Sequence, residues 1–106
     1  MTKLMEEEII PNLVKTRNEG QKEYAHAQNN VFANFERVAE AINASEMQVL
    51  WVYFLKHVDG ISAYIKGHKS QREDVRGRII DAMVYLSLFY GMVEESEANE
   101  WRDAEE

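Results

Sequence analysis

Three stretches carry residues whose types and spacing could do chemistry. In "RIIDAMVYLSLFY", Asp81 stands among apolar neighbours. A carboxylate in such surroundings must be paired, hydrated or metal-bound. Arg78 lies three residues before it and Tyr85 four after, so all three share one helical face. An Asp81–Arg78 pair or a helix–helix hydrogen bond is the structural use of that face. A carboxylate turned towards a polar pocket is the functional one. In "YFLKHVDGISAYIKG", Lys56 and His57 sit in the middle of a helix-like pattern. His57 shares a face with Tyr53, Gly60 and Tyr64. A lone histidine on an apolar helix is more often a core or interface group than a catalyst, but its unperturbed pKa near 6.5 still suits proton transfer. Gly60 allows another backbone or a planar ligand to come close.

The third stretch is basic. Lys66, Lys69, Arg72, Arg76 and Arg78 fall close together, with only Glu73 and Asp74 opposing. It ends at an expected helix start, where free amides and the helix dipole attract phosphate. Lys69, Arg72 and Arg76 would reinforce that attraction, while a solvated loop is the ordinary state of such a run. Glu36 and Glu40, one turn apart, are candidate oxygen ligands. His26, His57 and His68 are scattered and form no paired ligand motif. No recognisable nucleophile–base spacing or glycine-rich phosphate loop is present.

The elements that must position these groups are helices. Leu4, Ile9, Ile10, Leu13 and Val14 mark a first one. Pro11 and Gly20 predict a short helix, an irregular stretch and a helix again near Tyr24. A second starts after Asn29 or Asn30 and carries Val31, Phe32, Phe35, Val38, Ala39 and Ile42 at spacings of three and four. Ser45 and Gln48 form a capping box for a third, which stops at Gly67. Apolar residues cover nearly its whole circumference, so it belongs at the centre. Ser70 and Glu73 suggest a second capping box. The fourth helix then runs to about Val93 through Val75, Ile79, Met83, Leu86 and Tyr90. Residues 1–93 read as one helical domain and 94–106 as an acidic tail, partly helical or disordered, with Trp101 as its apolar anchor.

Composition agrees with an all-α helical bundle of about four helices. The chain has 106 residues, with one proline and no cysteine. There is thus no disulfide framework and no thiolate metal site. No apolar run approaches the roughly 18 residues of a membrane span, and the N-terminus does not read as a signal peptide. A cytoplasmic location is expected. The net charge of −7 belongs mostly to the tail and to Glu6, Glu7 and Glu8. The body is nearly neutral, so no direct nucleic-acid binding is expected. The apolar stripes of the last two helices exceed what one four-helix packing uses, which predicts a homo-oligomer.

The stretches "KEYAHAQNNVFANFERVAE", "VLWVYFLKHVDGI" and "GRIIDAMVYLSLFYG" resemble small phage-type proteins described as nucleotide modification-associated or MazG-like. The shared order is a Tyr-Ala segment, the Asn34–Phe35 pair, the Lys56–His57 pair, and a helix carrying Arg78, Asp81, Tyr85 and Leu86. The resemblance spans roughly residues 21 to 95. Similarity to the all-α nucleotide pyrophosphohydrolases implies helical dimers or tetramers and a Mg²⁺ site of Glu-x-x-Glu and Glu-x-x-Asp pairs. This chain departs from that pattern. Glu36 and Glu40 are four apart, and Arg78 stands where a glutamate would precede Asp81.

The resulting expectation is a protein of the host cell cytoplasm that binds a nucleotide-type ligand. Lys56, Lys69, Arg72, Arg76, Arg78 and Tyr85 would contact the ligand. Any divergent phosphohydrolase chemistry would fall to His57 and Asp81, with Glu36, Glu40 and Asp81 holding Mg²⁺. The alternative is a non-enzymatic interaction protein that inhibits a host enzyme or defence system.

Overall fold

The computed structural model describes residues 1–24, 30–68 and 74–105, with side chains for all of these except 21–24 and 99–105. Among the described residues the fold is all-α and no strand occurs, as the stripe spacing predicts. The first rod, α1, runs without a break through Thr2–Leu4, Met5–Ile9 and Ile10–Tyr24. It is followed by α2 (Ala33–Ile42), α3 (Glu46–Ile65) and α4 (Val75–Glu105). α3 lies against both α2 and α4, and α1 packs on α4.

The expected break in α1 does not occur. Instead, Met5–Ile9 forms a wide π-helical turn, in which the Ile10 amide donates to the Met5 carbonyl. Pro11 has no amide proton, and its ring crowds the carbonyl four residues earlier. A wider turn just ahead of it accommodates the ring while the helix continues. Gly20 costs only about 1 kcal/mol relative to alanine. That is too little to interrupt a helix whose Met5, Ile9, Leu13 and Thr16 are half-buried.

Local chemistry sets the other boundaries. Asn30 Oδ1 accepts the Phe32 amide at 3.0 Å, and its Nδ2 donates to Glu36 at 2.7 Å. This holds the chain in place as it enters α2. Asn43 ends α2 in the left-handed region, at φ 56°, which asparagine tolerates better than most residues. The Ser45–Gln48 capping box forms with both bonds, at 3.1 and 2.9 Å. Gly67 closes α3 at φ 94°, a conformation that strains any other residue. The Ser70–Glu73 box lies outside the described residues. At the start of α4, Asp74 accepts the Arg76 amide and guanidinium, each at 2.9 Å. Those bonds, the backbone one foremost, hold its carboxyl below the usual value. α4 runs past the expected end near Val93 to Glu105, so residues 94–105 of the acidic stretch are helical.

The core joins three helices. Phe32 precedes α2; Phe35 and Ala39 lie on α2, Val49 and Leu50 on α3, and Met92 on α4. Phe32 sits on Gly91, where an added Cβ would come within 3.0 Å of its Cζ. Leu50, at 2% exposure, is the most enclosed of the group. Leu50→Ala is expected to lower stability by about 2–5 kcal/mol, and Ser45→Ala by about 1 kcal/mol, in denaturant melts.

Glu46 opens α3 and faces Glu36 and Glu95. Partial burial raises its pKa above 4.5, and repulsion from the two glutamates adds to the rise. The neutral form therefore favours the fold, and this contribution is lost as pH climbs through the raised value. The stability difference between Glu46→Gln and the parent should move in favour of the variant as pH rises from 4.5 to 7. A difference that stays constant with pH would contradict this reading.

Candidate functional site

A cleft of about 720 Å³ opens between the helices. α1 supplies Thr16, Arg17, Glu19 and Gly20. Asn34, Phe35 and Arg37 come from α2, with Val31 just before it. Tyr53, Lys56 and His57 come from α3, and Asp81, Val84, Tyr85 and Leu88 from α4. The volume lies in the range of small-molecule sites.

The inner wall is aromatic. His57 stacks on Tyr85 with ring centres 5.3 Å apart and planes inclined by 30°. Tyr53 and Tyr85 lie 6.2 Å apart, and Phe35 meets both rings edge-on at 6.1 and 6.2 Å. Tyr53, Lys56 and His57 fall at spacings of three and four on α3, as do Asp81, Val84, Tyr85 and Leu88 on α4. Each helix therefore turns one face inward.

Beside the aromatic wall are polar groups of both signs. His57 Nδ1 is buried and makes no hydrogen bond among the described residues. Asp81 Oδ2 lies 3.9 Å from it, too far for a hydrogen bond but close enough to attract an imidazolium. The Asp81 side chain is 40% exposed. Arg17, Arg37 and Lys56 bring positive charge from three different helices, and Arg37 is bonded to Asn34 Oδ1 at 2.7 Å.

Of the residues singled out from the sequence, Lys56, His57, Asp81 and Tyr85 meet in this cleft. Arg78 does not line it. Its side chain lies over Gly60, where an added Cβ would fall 2.5 Å from Arg78 Cδ and 2.6 Å from Nη1. The close approach that Gly60 allows is therefore to an arginine of α4. Arg76 points away and pairs with Asp74 on an exposed surface. Lys69 and Arg72 lie outside the described residues. Glu36 and Glu40 do not line the cleft, and Glu36 is bonded to Asn30. Among the described residues no three His, Asp or Glu side chains gather as a metal ion would require. The expected trio of Glu36, Glu40 and Asp81 is thus not assembled.

Arg17, Arg37, Asn34 and Glu19 were not expected at the site. They occupy polar positions beside the apolar stripes, which read as solvent-facing in one dimension. Only the packing of α1 and α2 around the α3–α4 pair turns them towards a common space. Comparison with protein-family models, curated proteins and solved structures gives no match to this chain. The fold and site define an all-α protein of four helices among the described residues, with an open cleft that is aromatic inside and cationic on three of its helices.

Substitutions at Gly60, Arg78 and Asp81 test this geometry. Gly60→Ala should destabilise the parent because Arg78 must shift. In an Arg78→Ala background the same change should become neutral, or stabilise by up to about 1 kcal/mol through helix propensity. Asp81→Asn should change stability by less than about 1 kcal/mol, since the side chain is 40% exposed. A loss of several kcal/mol in thermal melts would show a buried pair instead.

Proposed function

We propose that the protein binds a nucleotide-type ligand in this cleft. The observation that supports the reading best is the pairing of aromatic faces with cations from three helices in one cavity. Tyr53, His57 and Tyr85 offer surfaces on which a base can stack. Arg17, Arg37 and Lys56 are the groups that would meet phosphates, and an arginine fork suits phosphate oxygens. Asp81 and the free Nδ1 of His57 offer polar contacts to a base edge or a sugar hydroxyl. In this proposal Arg17 and Arg37 take the phosphate-steering role that the basic stretch suggested for Arg76.

The resemblance to phage-type MazG-like proteins belongs to the same proposal. It favours a nucleotide over other anionic aromatic ligands. Binding, not hydrolysis, is its core, because among the described residues no oxygen ligands for a protein-held metal gather in the cleft. Mg²⁺ would enter with the phosphates, with Asp81 as the protein's oxygen contact. The proposed assembly is a homo-oligomer, with the cleft formed inside each chain.

Thermal melts against nucleotides, cyclic dinucleotides and deoxynucleoside triphosphates, each with and without Mg²⁺, test the proposal. A true ligand at 100 times its Kd stabilises by about 2.7 kcal/mol. Tyr85→Ala should weaken binding of every member of a nucleoside, mono- and triphosphate series. Arg17→Ala combined with Arg37→Ala should weaken the triphosphate far more than the nucleoside. No shift with any of these compounds would overturn the proposal.

A further inference from the structure

Among the described residues, α1 is the wall of the cleft that the core does not hold. The core cluster draws on α2, α3 and α4, with Phe32 just before α2, and contains no residue of α1. None of the described side chains of residues 1–20 is buried. Leu13 and Thr16 are only half-buried, and Leu4, Ile10 and Val14 are exposed. Among the described residues, these side chains make no hydrogen bond or ion pair to α2, α3 or α4. Arg17 Nη1 instead donates to its neighbour Asn18 Oδ1 at 3.3 Å.

α1 lies along α4, and the seam between them is loose. A second cavity of about 300 Å³ opens there, lined by Asn12 and Thr16 of α1 and by Asp74, Gly77, Ile80 and Asp81 of α4. Thr16 and Asp81 also line the main cleft, so the two spaces adjoin along one seam. Gly20 on α1 and Gly77 on α4 would each accept a Cβ with no atom within 4 Å of it. Asn12, Thr16, Asp74 and Asp81 are polar, so this part of the seam offers little apolar burial to hold α1 down. Local opening costs least where buried apolar contacts are few. Away from α4, a helix carrying Gly20 is itself marginal.

The cleft gives this loose wall a means of closing. Arg17 is the cation that α1 brings to it, while Arg37 and Lys56 stand on α2 and α3. A polyphosphate chain that meets all three ties α1 to the rest of the bundle through charge-assisted hydrogen bonds. We propose that α1 is a movable wall of the cleft, drawn shut when a polyphosphate bridges Arg17 to Arg37 and Lys56. The closing ligand rests on the nucleotide reading; the mobility of the wall does not. Closure makes affinity depend on the length of the phosphate chain. A triphosphate reaches across the opening, whereas a nucleoside stacked on Tyr85 has nothing to hold Arg17.

Hydrogen exchange and pulsed electron spin resonance distances on the full chain test this. Without ligand, the amides of residues 10–20 should exchange at least about tenfold faster than those of Leu50 and Tyr53. Lys15→Cys and Asp59→Cys place nitroxide labels at exposed positions outside the cleft, in a chain with no native cysteine. Their distance distribution should be broad. Inorganic triphosphate should narrow it and slow exchange across residues 10–20. The Arg17→Ala variant should keep the broad distribution with the same probe. Equal protection of α1 and α3, or one narrow distance before any probe is added, overturns the movable wall. A distribution that triphosphate leaves broad in the parent, or narrows equally in Arg17→Ala, overturns the closure. Closure by inorganic triphosphate, with a deoxynucleoside triphosphate binding no more tightly than that probe, would remove the nucleotide reading and support the movable wall.

Discussion

Because α3 carries apolar side chains almost all round and lies along α4, the two helices together have more hydrophobic surface than their mutual contact removes from water. One side of the pair is closed by α2, through Phe32, Phe35 and Ala39 against Val49, Leu50 and Met92. α1 approaches the same side through its contact with α4. Trp51 on α3 and Leu86 and Tyr90 on α4 stay exposed. Apolar burial is the main favourable term in such a small fold, so this asymmetry organises the rest. It places the cleft where the four helices meet and leaves other apolar side chains of both helices exposed.

The cleft follows from how α1 and α2 cover that first side. They pack against α3 and α4 without filling the space between them. The aromatic groups that close the cluster, Tyr53 and Tyr85, pack partly on Phe35 and partly on the open space. His57 leans on Tyr85, and its Nδ1 makes no hydrogen bond among the described residues. A buried nitrogen in that state carries a desolvation cost that a ligand's donor or acceptor would relieve. The charged residues around it come from separate helices, so their convergence depends on the helix packing and not on any single sequence motif.

Much of the fold was legible in the sequence because its signals are local. The capping box at Ser45 and Gln48, the left-handed stop at Gly67 and the stripe through Phe35 and Ala39 each depend on residues a turn or less apart. Asp81, His57, Lys56 and Tyr85 were also legible as site residues, since polar groups on apolar helices stand out against their neighbours. What could not be read was long-range. Arg17 and Arg37 look like ordinary surface cations until α1 and α2 are set against the α3–α4 pair. Arg78 shares a face with Asp81 in the helical pattern, yet its long side chain reaches Gly60 of the neighbouring helix. The continuous α1 shows a different limit, because a π-helical turn ahead of Pro11 leaves no simple periodic signature.

The central claim is that the wall formed by His57 and Tyr85 receives a nucleotide-type ligand, and ring resonances report on that contact directly. A ¹H–¹³C NMR titration of the full chain with a deoxynucleoside triphosphate, with and without Mg²⁺, follows the His57 and Tyr85 ring signals against those of Tyr64 and Tyr90, which lie outside the cleft. The account predicts saturable shifts at His57 and Tyr85 and little change at Tyr64 and Tyr90. Unmoved His57 and Tyr85 signals, or shifts confined to the other tyrosines, would contradict it.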